Sequence, residues 1–301
     1  MSDNIITDNK ITVILVSTGI FQDYIIYNIK QLLYFKYDII IITEKKYFIK
    51  LNEFENIENI KIIDSDFLTS ELLTTNFDIK SNLDKSFRDG FWHNTSKRLF
   101  LVYDCMKKYN LQNCIHLEND VLLYYHFYNY DFIYNKIYLT LDADNRCIPG
   151  IIYIPNYTLL TNLIADYNYN KNDMENMNLF YHKNKDICIT LPIIKQNKYY
   201  DRLDIYNENY KIFKGIFDGA AIGQYLGGVD PRNIAGDTSG FINETCVVKY
   251  NNYKYTWIKN DNGNDNKYNL PYVIIDDETI PIYNLHIHSK NLKKFIIFNS
   301  I

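Results

Sequence analysis

Glu118 and Asp120 stand one residue apart in the segment Cys114-Ile115-His116-Leu117-Glu118-Asn119-Asp120-Val121-Leu122-Leu123. The apolar residues before them read as a short buried strand that delivers both acids to its carboxyl end. In an open α/β sheet that edge is where ligands sit. No Lys or Arg adjoins the two carboxylates in the segment, so they repel each other, and a bound divalent cation would relieve the repulsion. An isolated E-x-D is more often the polar turn after a strand. The helix before it and the sequence after it give this one its weight.

Other residues could join them. His286 and His288, in Leu285-His286-Ile287-His288-Ser289-Lys290, share one face if the segment is a strand, because side chains alternate. An imidazole could complete a metal shell there. Asp173 and Glu175 fall in the first turn of a helix, where carboxylates suit the dipole. Asp218 precedes the small residues Gly219, Ala220 and Ala221, which permit close approach of a ligand. Thr18-Gly19 follows the first strand, and Arg98 lies on a helix. Each has a plainer alternative: edge-strand histidines, helix caps, a surface ion pair, a simple turn.

The chain has 301 residues, enough for one large α/β domain with a full core. Hydrophobic residues make up 47% and charged residues 23%, as in ordinary globular proteins. The formal charge of -4 gives no basic field for nucleic acid, and none is expected as a partner. The five cysteines, at positions 105, 114, 147, 188 and 246, form no C-x-x-C pair. Buried free thiols in a reducing, cytoplasmic setting account for them. The polar N-terminal residues 1–10 do not resemble a signal peptide, and no apolar run approaches bilayer length.

The elements that must carry these side chains begin with strands over 11–17, 38–43 and 60–63, separated by helices over 22–34 and 44–51. This β-α-β-α-β opening predicts a mostly parallel central sheet with helices on both faces. Asn94 or Thr95 is expected to cap a helix running to about Tyr109. Strands follow at 137–141 and 147–154, then helices over 157–167 and 172–182. Gly215 to Gly228 predicts a tightly packed helix closed by the Gly227-Gly228 pair. Strands around 247–257 and 272–275 flank a loop at 260–269, and a last strand covers 281–288. The expectation is a single α/β domain over 1–301, β-richer in its C-terminal part.

In this order the motifs resemble the nucleotide-sugar glycosyltransferases of the GT-A fold, the glycogenin and galactosyltransferase-like enzymes in particular. Ser96-Lys97-Arg98-Leu99, Glu118-Asn119-Asp120, the Pro149-Gly150 strand, the Asn172 to Asn178 helix start and the terminal His and Lys carry the resemblance. It implies Mn²⁺ or Mg²⁺ held by Asp120 and Glu118, with His286 or His288 completing the shell and His288 placed ahead of His286. Lys290 would contact the diphosphate. Arg98, Thr18 and Gly19 would lie against the nucleotide, with 1–125 as the nucleotide-binding half and 126–301 as the acceptor-binding half. Asp173, Glu175 and Asp218 are the candidate catalytic carboxylates. Glu118 departs from the family's D-x-D, and the terminal segment lacks the glycine of H-x-x-G-x-x-K. Phe91, Trp92 and Trp257 could stack on sugar rings.

The implied activity is transfer of a sugar from a nucleotide-diphosphate donor, a UDP-sugar by preference, to a hydroxyl of a glycan or protein acceptor. Two alternatives stand beside it. A sugar-phosphate nucleotidyltransferase normally shows a Gly-rich basic loop after the first strand, which Ser17-Thr18-Gly19-Ile20-Phe21 is not. A non-catalytic carbohydrate-binding protein of the same fold would keep sugar binding without Asp120.

Overall fold

The computed structural model describes residues 10–69, 72–260 and 268–298. The chain opens with strand β1 (Thr12–Ser17), helix α1 (Ile25–Tyr34), strand β2 (Asp38–Thr43), a 3₁₀ run (Lys45–Phe54) and strand β3 (Ile60–Asp64). Helices α2 (Ser65–Thr69), α3 (Leu72–Lys80) and α4 (Phe91–Lys108) lead to strands β4 (Gln112–Leu117), β5 (Val121–Leu123), β6 (Ile137–Ala143) and β7 (Arg146–Asn156). Helices α5 (Thr161–Ala165) and α6 (Asp173–Lys183), strand β8 (Cys188–Thr190), and helices α7 (Tyr210–Phe213) and α8 (Ala221–Gly227) follow. Strands β9 (Lys254–Asn260), β10 (Tyr268–Ile275), β11 (Glu278–Pro281) and β12 (Asn284–His286) complete the series.

Seven strands form the central sheet in the order β3-β2-β1-β4-β7-β6-β8. The pairs β3/β2, β2/β1, β1/β4 and β6/β8 are parallel; β7 runs antiparallel to both its neighbours. The alternation of side chains decides the layers. Ile14, Val16, Ile40 and Ile42 join the core shared with α4 and α6. Val13, Leu15, Ile39 and Ile41 face the other way, onto α1. The expected mixed α/β architecture, with helices on both faces and a β-rich C-terminal region, is present.

Several local expectations shift. Helix α4 begins at Phe91 instead of after Asn94, because Gly90 at φ +78° supplies the left-handed turn that admits the chain. Asn94 sits inside the helix and donates back to the Asp89 carbonyl. The 157–167 segment is a 3₁₀ turn followed by the short α5. Only Ala221–Gly227 of the 215–228 segment is helical, and 247–253 is not strand. Most of the expected 260–269 loop lies outside the described residues. All five cysteines are free and buried. Among the described residues, no helix is long and apolar enough to cross a membrane.

Two small elements position the site. β5 follows β4 after a turn closed by Val121 N–H donating to the Glu118 carbonyl at 3.0 Å. β12 pairs antiparallel with β5, setting His286 opposite Val121. Helix α8 then packs on β12 at a distance only glycine permits: a Cβ on Gly223 would stand 1.9 Å from the His286 carbonyl oxygen. Backbone cannot yield there, so Gly223→Ala is expected to cost at least ~3 kcal/mol. A melting temperature within a degree of wild type would contradict this packing.

Candidate active site

A cleft of about 380 Å³ opens at the carboxyl ends of β1 and β4. Its centre is the β4–β5 turn. Glu118 offers one oxygen to the Arg98 guanidinium, while its other, Oε2, lies 3.1 Å from His286 Nε2. Asp120 Oδ2 lies 3.4 Å from the same imidazole nitrogen and is gripped by the Lys290 ammonium. Ligand atoms of Glu118, Asp120 and His286 all fall within 4.8 Å of one another. The same Arg98 Nη2 also reaches Asp173 Oδ2, at 3.3 Å.

The site therefore departs from the expectation of two uncompensated acids. Arg98, from α4, and Lys290, from the turn after β12, each neutralise one of them. Both come from distant segments, which is why the local sequence lacks any sign of them. Burial works to raise the Asp120 carboxyl, but Lys290 and His286 overcome it and hold the group well below its usual range. Burial opposes ionisation of Glu118 too, and Arg98 with His286 pulls it below normal. Burial wins at Asp173, whose carboxyl is raised despite Arg98. His286 is raised, because Asp120 and Glu118 outweigh its burial.

The two histidines separate. β12 ends at His286, and the Ile287 N–H donates to the Asp120 carbonyl at 2.8 Å, so the chain turns before His288. His286, and not the preferred His288, joins the acidic pair. His288 still borders the cleft, with Nδ1 3.3 Å from Gln224 Nε2 and its ring 4.6 Å from that of His286. Burial, with His286 and Lys290 nearby, pushes it down to about 3.

The candidate catalytic carboxylates separate as well. Asp173 borders the cleft. Glu175 completes a capping box with Asn172, pairs with Lys171 at 2.8 Å and is not among the cleft residues. Asp218 is also absent from the cleft wall. Its carboxylate accepts the backbone N–H groups of Ile222, Gly223 and His286, at 2.8–2.9 Å, and so ties α8 to β12. Both residues are thus engaged in holding backbone.

Thr18 and Arg98 line the cleft. Gly19 lies just behind at φ +82°, its N–H donating to Glu44 Oε1 at 3.0 Å. Thr18 Oγ1 and His286 Nδ1 are buried without a hydrogen-bond partner among the described residues. Phe91 and Trp92 reach the cleft; Trp257 packs instead against Tyr124 and Phe295. Sequence inspection missed Arg146, Gln224 and Asn243 on one wall and the Arg88–Asp230–Arg232 cluster at the mouth. Asp142 lies near the end of β6, just past the strand expected over 137–141. Nothing local marks the others.

At the mouth, Asp230 is held down to about 2: burial opposes ionisation, and the hydrogen bonds and charge of Arg232 prevail. A depressed carboxyl stabilises the fold above its unfolded value near 4 and ceases to do so as pH falls through the folded value. The melting temperature is expected to drop between pH 4 and about pH 2, and Asp230→Asn should flatten that drop; an unchanged acid limb would contradict the assignment.

No family model and no curated protein matches the chain. Among solved structures it is similar to the galactosyltransferase LgtC in complex with donor and acceptor sugar analogs. That match has 9% identity over 60% of this chain and 73% of the other, with a TM-score of 0.39. It is also similar to the glycosyltransferase GlyE of Streptococcus pneumoniae, at 12% identity over 61% and 45% of the two chains and a TM-score of 0.39. A third is provisionally named a glucose-1-phosphate thymidylyltransferase, from Bacillus anthracis, with 10% identity over 60% and 85% and a TM-score of 0.36. Likenesses of this degree carry no weight for activity; what the cleft can do rests on its side chains.

Proposed function

We propose that the chain is a metal-dependent glycosyltransferase that moves a sugar from a nucleotide-diphosphate donor, a UDP-sugar by preference, to a hydroxyl of a glycan or protein acceptor. One observation carries this: two carboxylates and an imidazole converge within 4.8 Å inside a cleft, flanked by Lys290 and Arg98. Hard oxygen donors with one imidazole suit Mn²⁺ or Mg²⁺. Asp120, His286 Nε2 and Glu118 Oε2 would hold the ion, and the unpartnered Thr18 Oγ1 beside the cleft is consistent with a site built for a ligand. When bound, the ion supplies positive charge that stabilises a leaving diphosphate.

The remaining chemistry belongs to the chain. Lys290 is 24% exposed at its side chain and can turn from Asp120 to a phosphate oxygen. Arg98 keeps Glu118 and Asp173 apart at fixed positions. Asp173, raised by burial and bordering the cleft, is the carboxylate placed to accept a proton from an acceptor hydroxyl. Thr18 and the turn at Gly19 offer backbone to the nucleotide. The half up to residue 125 would hold the nucleotide and the rest the acceptor. Free, buried thiols support a reducing, cytoplasmic setting.

The test is release of nucleoside diphosphate from a panel of nucleotide sugars by purified protein with Mn²⁺, and its loss on chelation. Absence of turnover or binding across the common donors would sink the proposal. Pyrophosphate release from a nucleoside triphosphate and a sugar phosphate would move it to the nucleotidyltransferases.

A further inference from the structure

Helix α1 carries two amides on its buried face. Asn28 and Gln31 stand three residues apart, so they are neighbours on that face, and both are fully buried alongside Ile25, Ile29 and Leu32. Asn28 Nδ2 donates to the Glu118 carbonyl at 3.3 Å and to the Asn119 carbonyl at 3.2 Å. Gln31 Nε2 donates to the Leu123 carbonyl at 2.6 Å, and its Oε1 accepts the Ile297 N–H at 3.1 Å. Both amides thus spend their donors on the β4–β5 segment. Asn28 Oδ1 is buried without a hydrogen-bond partner among the described residues. An idle buried acceptor costs stability. The fold retains it where the donor end of the same amide meets the acidic turn.

We propose that Asn28 is a positioning residue: it sets the spacing of the Glu118 and Asp120 carboxylates through the backbone of the turn. This rests on the transferase proposal above. Asn28 is not among the residues lining the cleft, so it acts through the turn and not on a ligand. The turn is pinned at successive peptides. The Glu118 N–H donates to the Gly150 carbonyl at 3.0 Å, and the Asp120 carbonyl accepts the Ile287 N–H at 2.8 Å. Asn28 adds the middle carbonyl, that of Asn119, and shares the Glu118 carbonyl with the Val121 N–H. Peptide units are planar, so fixing these carbonyls fixes the directions in which side chains 118 and 120 leave the turn. Two carboxylates repel, and a loosely held turn would let them swing apart. Held in this way, both face His286 Nε2, at 3.1 and 3.4 Å.

The experiment is Mn²⁺ affinity of the full chain, read from the electron paramagnetic resonance signal of free Mn²⁺, beside melting temperature and UDP release from the nucleotide-sugar panel. Asn28→Leu keeps the branched shape and removes the donor. Its Mn²⁺ dissociation constant should rise at least about tenfold, the scale at which groups that orient metal-holding side chains act, and UDP release should fall with it. Leu32→Ala, one turn along the same buried face, loosens α1 without touching the turn. It should lower the melting temperature and leave the Mn²⁺ dissociation constant unchanged. Should Asn28→Leu fail to fold, Asn28→Ala is measured in its place, with the same shift expected. An unaltered dissociation constant in the Asn28 variant, or an equal rise in Leu32→Ala, overturns the positioning role alone. Wild-type chain that binds no Mn²⁺ overturns the metal-dependent transferase proposal, and this role with it. Mn²⁺ binding without turnover of any donor overturns the transferase proposal, while the two affinities still decide what Asn28 does.

Discussion

Asp120→Asn is expected to lower metal-dependent donor turnover by roughly 10²–10³-fold, the scale seen when one preorganised electrostatic contact to developing charge is lost. Asp120 holds Lys290 and faces His286 Nε2 at 3.4 Å, so under the proposed function it is the acid shared by the residues that would hold the ion and the lysine that would meet the diphosphate. Asn keeps the shape and the backbone bond from Ile287 to the residue 120 carbonyl. It removes the charge that would retain a cation. Mn²⁺ affinity, read by calorimetry, should fall together with kcat, while the far-ultraviolet spectrum stays that of a folded protein. A variant that keeps both metal dependence and turnover would remove the acidic pair from the mechanism.

Arg98→Ala should produce the largest loss of stability. The guanidinium is 12% exposed and bridges Glu118, whose side chain is 12% exposed, to Asp173, at 3%. Taking it away leaves two buried carboxylates facing each other, a change that typically costs about 3–5 kcal/mol. For a chain of this size that is roughly a 5–10 °C fall in melting temperature. Mn²⁺ should recover part of the loss, because an ion seated between Glu118 and Asp120 replaces some of the missing charge and binds only the folded protein. Arg98→Lys should fall between, since an ammonium could reach both acids as Nη2 does but would lose the Nε bond to the Thr95 carbonyl that holds the guanidinium in place. A melting temperature equal to wild type, or one that Mn²⁺ leaves unmoved, would show that the bridge does not organise the site.

Asp218 teaches a related lesson. By sequence it was a rival base, and its small neighbours pointed to a sugar. In the fold its two oxygens serve three backbone N–H groups, and burial pushes the carboxyl up to about 6 against their pull. The small residues that suggested ligand approach instead allow α8 to touch the backbone of β12 and Asp142. Glu175 followed the same course: a first-turn carboxylate on a helix found its partner in its own cap.

What the sequence determined on its own was whatever repeats over a few residues. Continuous runs of β-branched residues bounded by turn signals read as strands, so β1 and β2, buried inside the sheet, and β3 at its edge were legible nearly to the residue. The alternation within them set which side chains meet α1 and which meet α4. Glu118 and Asp120, one residue apart after such a strand, pointed to the sheet edge where the cleft opens, with their weight drawn from the helix before them and the sequence after them. The tertiary structure alone decided which charges meet. Lys290 and Asp120 lie 170 positions apart, and Arg98 and Glu118 stand on different elements 20 apart. The meeting of Lys290 with Asp120 depends on the β5–β12 pairing, which also brought His286 instead of His288 to the acids. No local pattern encodes that register, because it follows from packing α8 against β12 through Gly223, a contact visible only once the chain is folded.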